Sequence, residues 1–158
     1  MKKEKIQEYT LRISQSNRTQ LVVVIYDILL TYLSEAEDAD AKEDKNEFRY
    51  AVRKAQPFVT ELMSALNFQY EISYELMRLY LYVNRSLALS LIKNDSSELK
   101  GPKIVIKNLR KAFEEISRKD SSQPLMKNTQ QIYAGLTYGK GCLKEFSNMQ
   151  GENRGFLA

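Results

Sequence analysis

Apolar side chains recur at intervals of three and four residues through most of the chain, the period of helices that pack by one face. The pattern is clearest from Phe48 onward, where Phe48, Val52, Ala55, Val59, Leu62 and Leu66 step 4, 3, 4, 3, 4. Pro57 lies inside this run. It removes a backbone donor without breaking the seam, which predicts one kinked helix or two helices meeting near Gln56. Upstream, Leu21, Val24, Ile25, Ile28, Leu29, Tyr32 and Leu33 share a broad stripe, and Val22, Val23 and Leu30 widen it. A helix apolar on nearly every side is central to its bundle or offers a second surface to a partner. Asn17 with Gln20 can close a capping box at its start. The acidic stretch Glu35–Asp40 ends it, a turn follows near Lys42–Lys45, and Asp44 with Glu47 offers a second box.

Two more stripes follow. Leu76, Leu79, Tyr80, Val83, Leu87 and Leu91 predict a helix from about Ser73, closed by Lys93-Asn94-Asp95. Pro102, Ile106, Leu109, Phe113 and Ile116 predict the inward face of another, from Ser96 or Ser97 to Arg118. Lys100, Lys103, Lys107 and Lys111 lie opposite as a solvated basic stripe. Ahead of all these, Ile6, Tyr9 and Ile13 mark a short helix. A helix of about 12–15 residues is marginal alone in water, so this one must lie against something and can detach. Five of the six glycines fall at Gly135 or later, leaving little material for hairpins before them. The expected fold is all-α. An antiparallel four-helix bundle spans residues 1–119, with 1–16 as an N-terminal cap segment and 17–119 as the core. Residues 120–158 form an irregular glycine-rich tail packed on or beside it.

Composition narrows the chemistry. The chain has 158 residues, one domain's worth, with no histidine and one cysteine. Absent histidine excludes the usual triads and His-ligated metals, and Cys142 has no base to activate it. No enzyme activity, metal or cofactor is expected. Residues 1–119 carry 20 basic and 17 acidic side chains and residues 120–158 carry 4 and 3, so neither part has the basicity of a nucleic-acid binder. The longest apolar run, Leu21–Ile25, is too short for membrane insertion, and no apolar stretch follows the charged start as in a signal peptide. A cytoplasmic protein is expected.

Tyrosines say more than charges. Tyr26, Tyr32, Tyr70, Tyr74, Tyr80 and Tyr82 gather on or beside two of the helices. Tyr80 and Tyr82 lie about 200° apart around their helix, so one core cannot take both. Tyrosine at a helix surface supplies apolar area with a polar tip, a common interface composition. With the over-apolar helix, this favours a groove that receives a partner helix. A helical adaptor or regulator using the same face, and a nucleic-acid-associated bundle using the lysine stripe, are the competing readings.

Four stretches in order carry a resemblance: Leu21–Leu33 (LVVVIYDILLTYL), Leu66-Asn67-Phe68, Leu81–Leu87 (LYVNRSL) and Ile92–Asp95. Over roughly residues 6–118 the chain resembles the flagellin export chaperone family, FliS. The resemblance implies a bundle that binds the disordered C-terminal segment of flagellin, which becomes helical as it wraps the chaperone. It also implies that the complex serves the flagellar export gate, from a monomer or weak homodimer. Ile25, Tyr26 and Asp27 match the family's Leu-Tyr-Asp element. Ile6, Tyr9 and Ile13 match an N-terminal segment that covers apolar surface and moves when flagellin arrives. The candidate partner-binding residues are therefore Ile6, Tyr9, Ile13, Ile25, Tyr26, Leu29, Tyr80, Tyr82 and Asn84. The tail lies beyond the resemblance. Its Ile132, Tyr133, Leu136, Tyr138, Leu143, Phe146, Phe156 and Leu157 are too apolar for a solvated linker. It is expected to cover the client surface, so that deleting residues 121–158 tightens binding, or to pack elsewhere.

Overall fold

The computed structural model describes residues 1–126. Five α-helices order this part: α1 (Lys3–Gln15), α2 (Arg18–Ala41), α3 (Lys45–Ser64), α4 (Ile72–Lys93) and α5 (Lys100–Lys119). A single 3₁₀ turn, Ser97–Leu99, leads into α5, and no strand occurs among the described residues.

The helix ends follow from side chains that satisfy otherwise unpaired backbone groups. At α2 the Asn17 side chain accepts from Gln20 N (2.9 Å) and the Gln20 side chain accepts from Asn17 N (3.0 Å), the expected capping box. At α3 only half of the second box forms. Asp44 accepts from Glu47 N at 3.0 Å, but Asp44 N donates to Ala39 O across the turn and has nothing left for Glu47. Asn94 closes α4 in the left-handed conformation, φ 58°, which asparagine tolerates better than most residues.

Pro57 does not split its helix: α3 is continuous from Lys45 to Ser64. The proline is exposed, so the carbonyl it leaves unpaired faces water. The acidic residues at the end of α2 lie in the helix itself, which runs through to Ala41, where its dipole disfavours them. Each of two is answered by a cation. Glu37 pairs with Lys103, and Asp40 with Lys45 at 2.7 Å. Asp40 also accepts from Ser96 N (2.8 Å), which ties the α4–α5 connection to the end of α2.

α2 is central. It packs against α3 on one side and α5 on the other, α3 packs on α4, and α1 rests on α2. Glu37 meets Lys103, Asp27 meets Arg110 and Thr19 meets Asp120, so α5 runs antiparallel to α2. Leu29, Leu33, Phe48, Val52, Val59, Val83, Leu87 and Ile106 form the innermost core. α2 is the one described helix long and apolar enough to cross a membrane, but Val24, Ile25, Ile28, Leu29 and Leu33 are buried in this core.

Two sequence expectations for α5 are corrected. Ile116 is 53% exposed, because the inward face of α5 ends at Phe113, whose ring packs edge-on against Tyr26. Lys103 is not merely solvated but pairs with Glu37. The glycine-rich stretch, Cys142 and the apolar tail residues from Ile132 onward lie outside the described residues.

Candidate functional site

The candidate residues separate into a buried set and a peripheral set. Tyr26 and Leu29 are fully buried, Tyr80 is 1% exposed and Ile25 is buried beside them. The Tyr26 and Tyr80 hydroxyls hydrogen-bond to each other across α2 and α4, 2.5 Å apart, and Phe113 meets the Tyr26 ring edge-on at 5.6 Å. Burial raises both phenols above the ordinary tyrosine value, and the neighbouring Tyr80 hydroxyl raises Tyr26 further. With α1 docked, this pair has no surface to offer a partner; it fixes α4 against α2 through a satisfied buried polar contact.

The periphery differs. Tyr82 is 45% exposed, as the angular separation from Tyr80 requires. Its hydroxyl lies over Gly101 of α5, where an added Cβ would sit 2.1 Å away. Asn84 is half-buried. Toward the start of α4, Phe68 and Tyr74 are tilted together at 5.2 Å, and Tyr70 and Ile72 are exposed next to them in the sequence.

α1 is the least secured element. Tyr9 is its only buried residue, while Ile6 and Leu11 face solvent and Ile13 is half-buried. The Tyr9 hydroxyl bonds with Thr31 Oγ1 (2.8 Å) and donates to Asp27 O (3.3 Å). Arg12 lies 5.7 Å over the Tyr9 ring and donates to Asp27 Oδ2 at 2.6 Å. On its other side the Asp27 carboxylate accepts from Arg110 Nε of α5, also at 2.6 Å. That bond raises the Arg110 guanidinium above its ordinary value. Asp27 therefore clamps α1 to α5 across α2. A cleft of about 540 Å3 lies along the seam, with Lys2, Lys5 and Tyr9 on the α1 side and Leu30, Thr31 and Glu35 on the α2 side.

Asp27 and Arg110 were not among the residues the sequence singled out as binding. The signal for Asp27 was present: it is the lone charge in the apolar stretch Leu21–Leu33. A charge there is retained only with partners. Nothing in the sequence pointed to Arg110. The structure joins Ile6, Tyr9 and Ile13 to α2 through Tyr9, and sets Tyr82 and Asn84 apart on α4. No three His, Cys, Asp or Glu side chains among the described residues come together as a metal site.

A short amphipathic helix clamped by polar groups to a central apolar helix sits where the sequence resemblance expects a movable cover. The profile of the flagellar protein FliS family matches residues 2–120, from the start of α1 to the end of α5. The chain belongs to the FliS family. No curated protein matches the sequence. FliS membership carries a role in flagellar export as a chaperone rather than as an enzyme, with a flagellar protein as partner.

Proposed function

We propose that this FliS protein binds the disordered C-terminal segment of flagellin in the cytoplasm, keeps it from polymerising, and presents it to the flagellar export gate. The observation that carries this reading is the small apolar footprint of α1, which buries one side chain and leaves Ile6 and Leu11 in water over the most apolar helix of the fold. In this reading the four long helices act as an antiparallel bundle, as a monomer or weak homodimer. Ile6, Tyr9 and Ile13 are the displaceable cover. Departure of α1 uncovers the α2 flank around Asp27 and Thr31, with Ile25, Tyr26, Leu29 and Tyr80 behind it as further partner-binding residues. Tyr82 and Asn84 extend the contact along α4. A client that folds as it binds must bury much apolar surface to offset its ordering, on the order of 1,000–3,000 Å2.

The test is calorimetry of the full chain against a peptide carrying the flagellin C-terminal segment at several temperatures. The expected result is binding with a large negative heat-capacity change. No binding, or binding to another helical protein in its place, overturns the proposal and favours the adaptor reading. Tyr82→Ala is expected to weaken binding several-fold, since aromatic anchors at an interface cost about 1–2 kcal/mol or more on truncation. Tyr82 is half exposed, so the melting temperature should hardly move.

A further inference from the structure

Beyond α5 the chain turns back over the joint between α1 and α2, and four hydrogen bonds fasten it there. Asn17 Nδ2 donates to Asp120 O (3.2 Å) and Ser122 O (3.4 Å), Thr19 Oγ1 donates to the Asp120 carboxylate, and Leu125 N donates to Ser16 O at 3.0 Å. The other Asp120 oxygen accepts from Ser122 N (3.0 Å), which curls the segment toward the joint. The joint consists of Ser16 and Asn17 alone, the residues between the two helices, and they are 5% and 2% exposed. Burial is unusual for polar linker residues on which a helix must pivot.

Asn17 carries two separate jobs on its one amide. Its Oδ1 caps α2 through Gln20 N, and its Nδ2 reaches the carbonyls of the returning chain. A swing of α1 away from α2 requires the backbone torsions of Ser16 and Asn17 to change, because hinges absorb their motion in a few residues. That change must break the bond from Leu125 to Ser16 or carry the segment with it. The FliS match ends at residue 120, so most of this returning segment lies outside the family region.

We propose that residues 120–125 are a strap over the Ser16–Asn17 hinge that holds α1 closed on α2. The segment that follows the family region thus sets how readily α1 releases. The functional consequence rests on the reading that α1 leaves to admit a client; the mechanical coupling does not, and it is measured without one.

Hydrogen exchange on the full chain reads the coupling. Asn17→Asp keeps the Oδ1 cap on α2, since aspartate caps as well as asparagine, but removes the donor to the strap. Leu125→Pro removes the one N–H that reaches Ser16 and costs no core, because Leu125 is half exposed. In both variants the α1 amides are expected to exchange about 3–10-fold faster, the effect of losing one or two modest hydrogen bonds on a local opening. Amides of α3 and α4 should exchange at the wild-type rate. Unchanged α1 exchange in both variants overturns the strap, as does acceleration spread equally over α3 and α4. Adding the flagellin peptide separates the two readings. A peptide that binds none of the three chains overturns the proposed function, while the exchange rates still decide the strap.

Discussion

Tyr26 and Tyr80 place two hydroxyls in the core, and each is the other's hydrogen-bond partner. Tyr26→Phe or Tyr80→Phe alone strands the remaining hydroxyl and should cost about 1–3 kcal/mol in denaturant unfolding. The double variant strands nothing, so it should cost less than the two singles together, a non-additivity that a double-mutant cycle reads directly. Asp40 acts through ionisation instead. Bonds from Lys45 and Ser96 hold its carboxyl down at about 2, below the ordinary 3.8. A carboxyl depressed by folding stabilises above its unfolded value and loses that contribution as pH falls through the folded one. Asp40→Asn should therefore be less stable than wild type at neutral pH, with the gap closing between about pH 4 and pH 2 in parallel acid titrations. Both sites show what residue order concealed. Asp40 read as the acidic end of a helix and the hydroxyl partner of Tyr26 went unread, because the atoms that hold them come from α4 and its connection to α5.

At the level of elements, caps and seams were legible and attachments were not. The Asn17–Gln20 box and the α3 seam follow from local spacing, since each needs only neighbours within a few residues. How α1 is fastened depends on Asp27, Thr31 and Arg110, the last far along the chain in α5, and no local rule reaches them. Replacing Asp27 with Asn should loosen α1 and its tie to α5, with the α1 amides opening by about 1–2 kcal/mol more readily in exchange experiments, the scale of a hydrogen bond to a charged group. The α4–α5 contact supplies a second case. A glycine inside a helix costs up to about 1 kcal/mol against alanine. Gly101→Ala should nonetheless gain little in the wild-type chain, because the new Cβ must push the Tyr82 hydroxyl aside. In a Tyr82→Ala background the same change should raise the melting temperature more.

For the whole molecule, one fact orders the rest: α2 lies between α3 and α5 and under α1. Leu29→Ala in its fully buried middle should cost about 2–5 kcal/mol in equilibrium unfolding. Ile116→Ala, in the seam that the period predicts for α5 but 53% exposed, should stay within about 0.5 kcal/mol. That contrast marks the border between chain and fold. Helical periodicity and the glycine distribution were enough to read the described residues as all-α, the missing histidines excluded histidine chemistry, and the ordered motifs pointed to the family. Those properties are set by local backbone preference and side-chain inventory, which a linear sequence states outright. Only the tertiary structure decided which apolar residues are enclosed and which remain available. It also decided that a lone aspartate clamps three helices and that the chain after α5 returns to the α1–α2 joint. Each of these depends on what approaches from a distant part of the chain, and periodicity gives the face of a helix but not its neighbour.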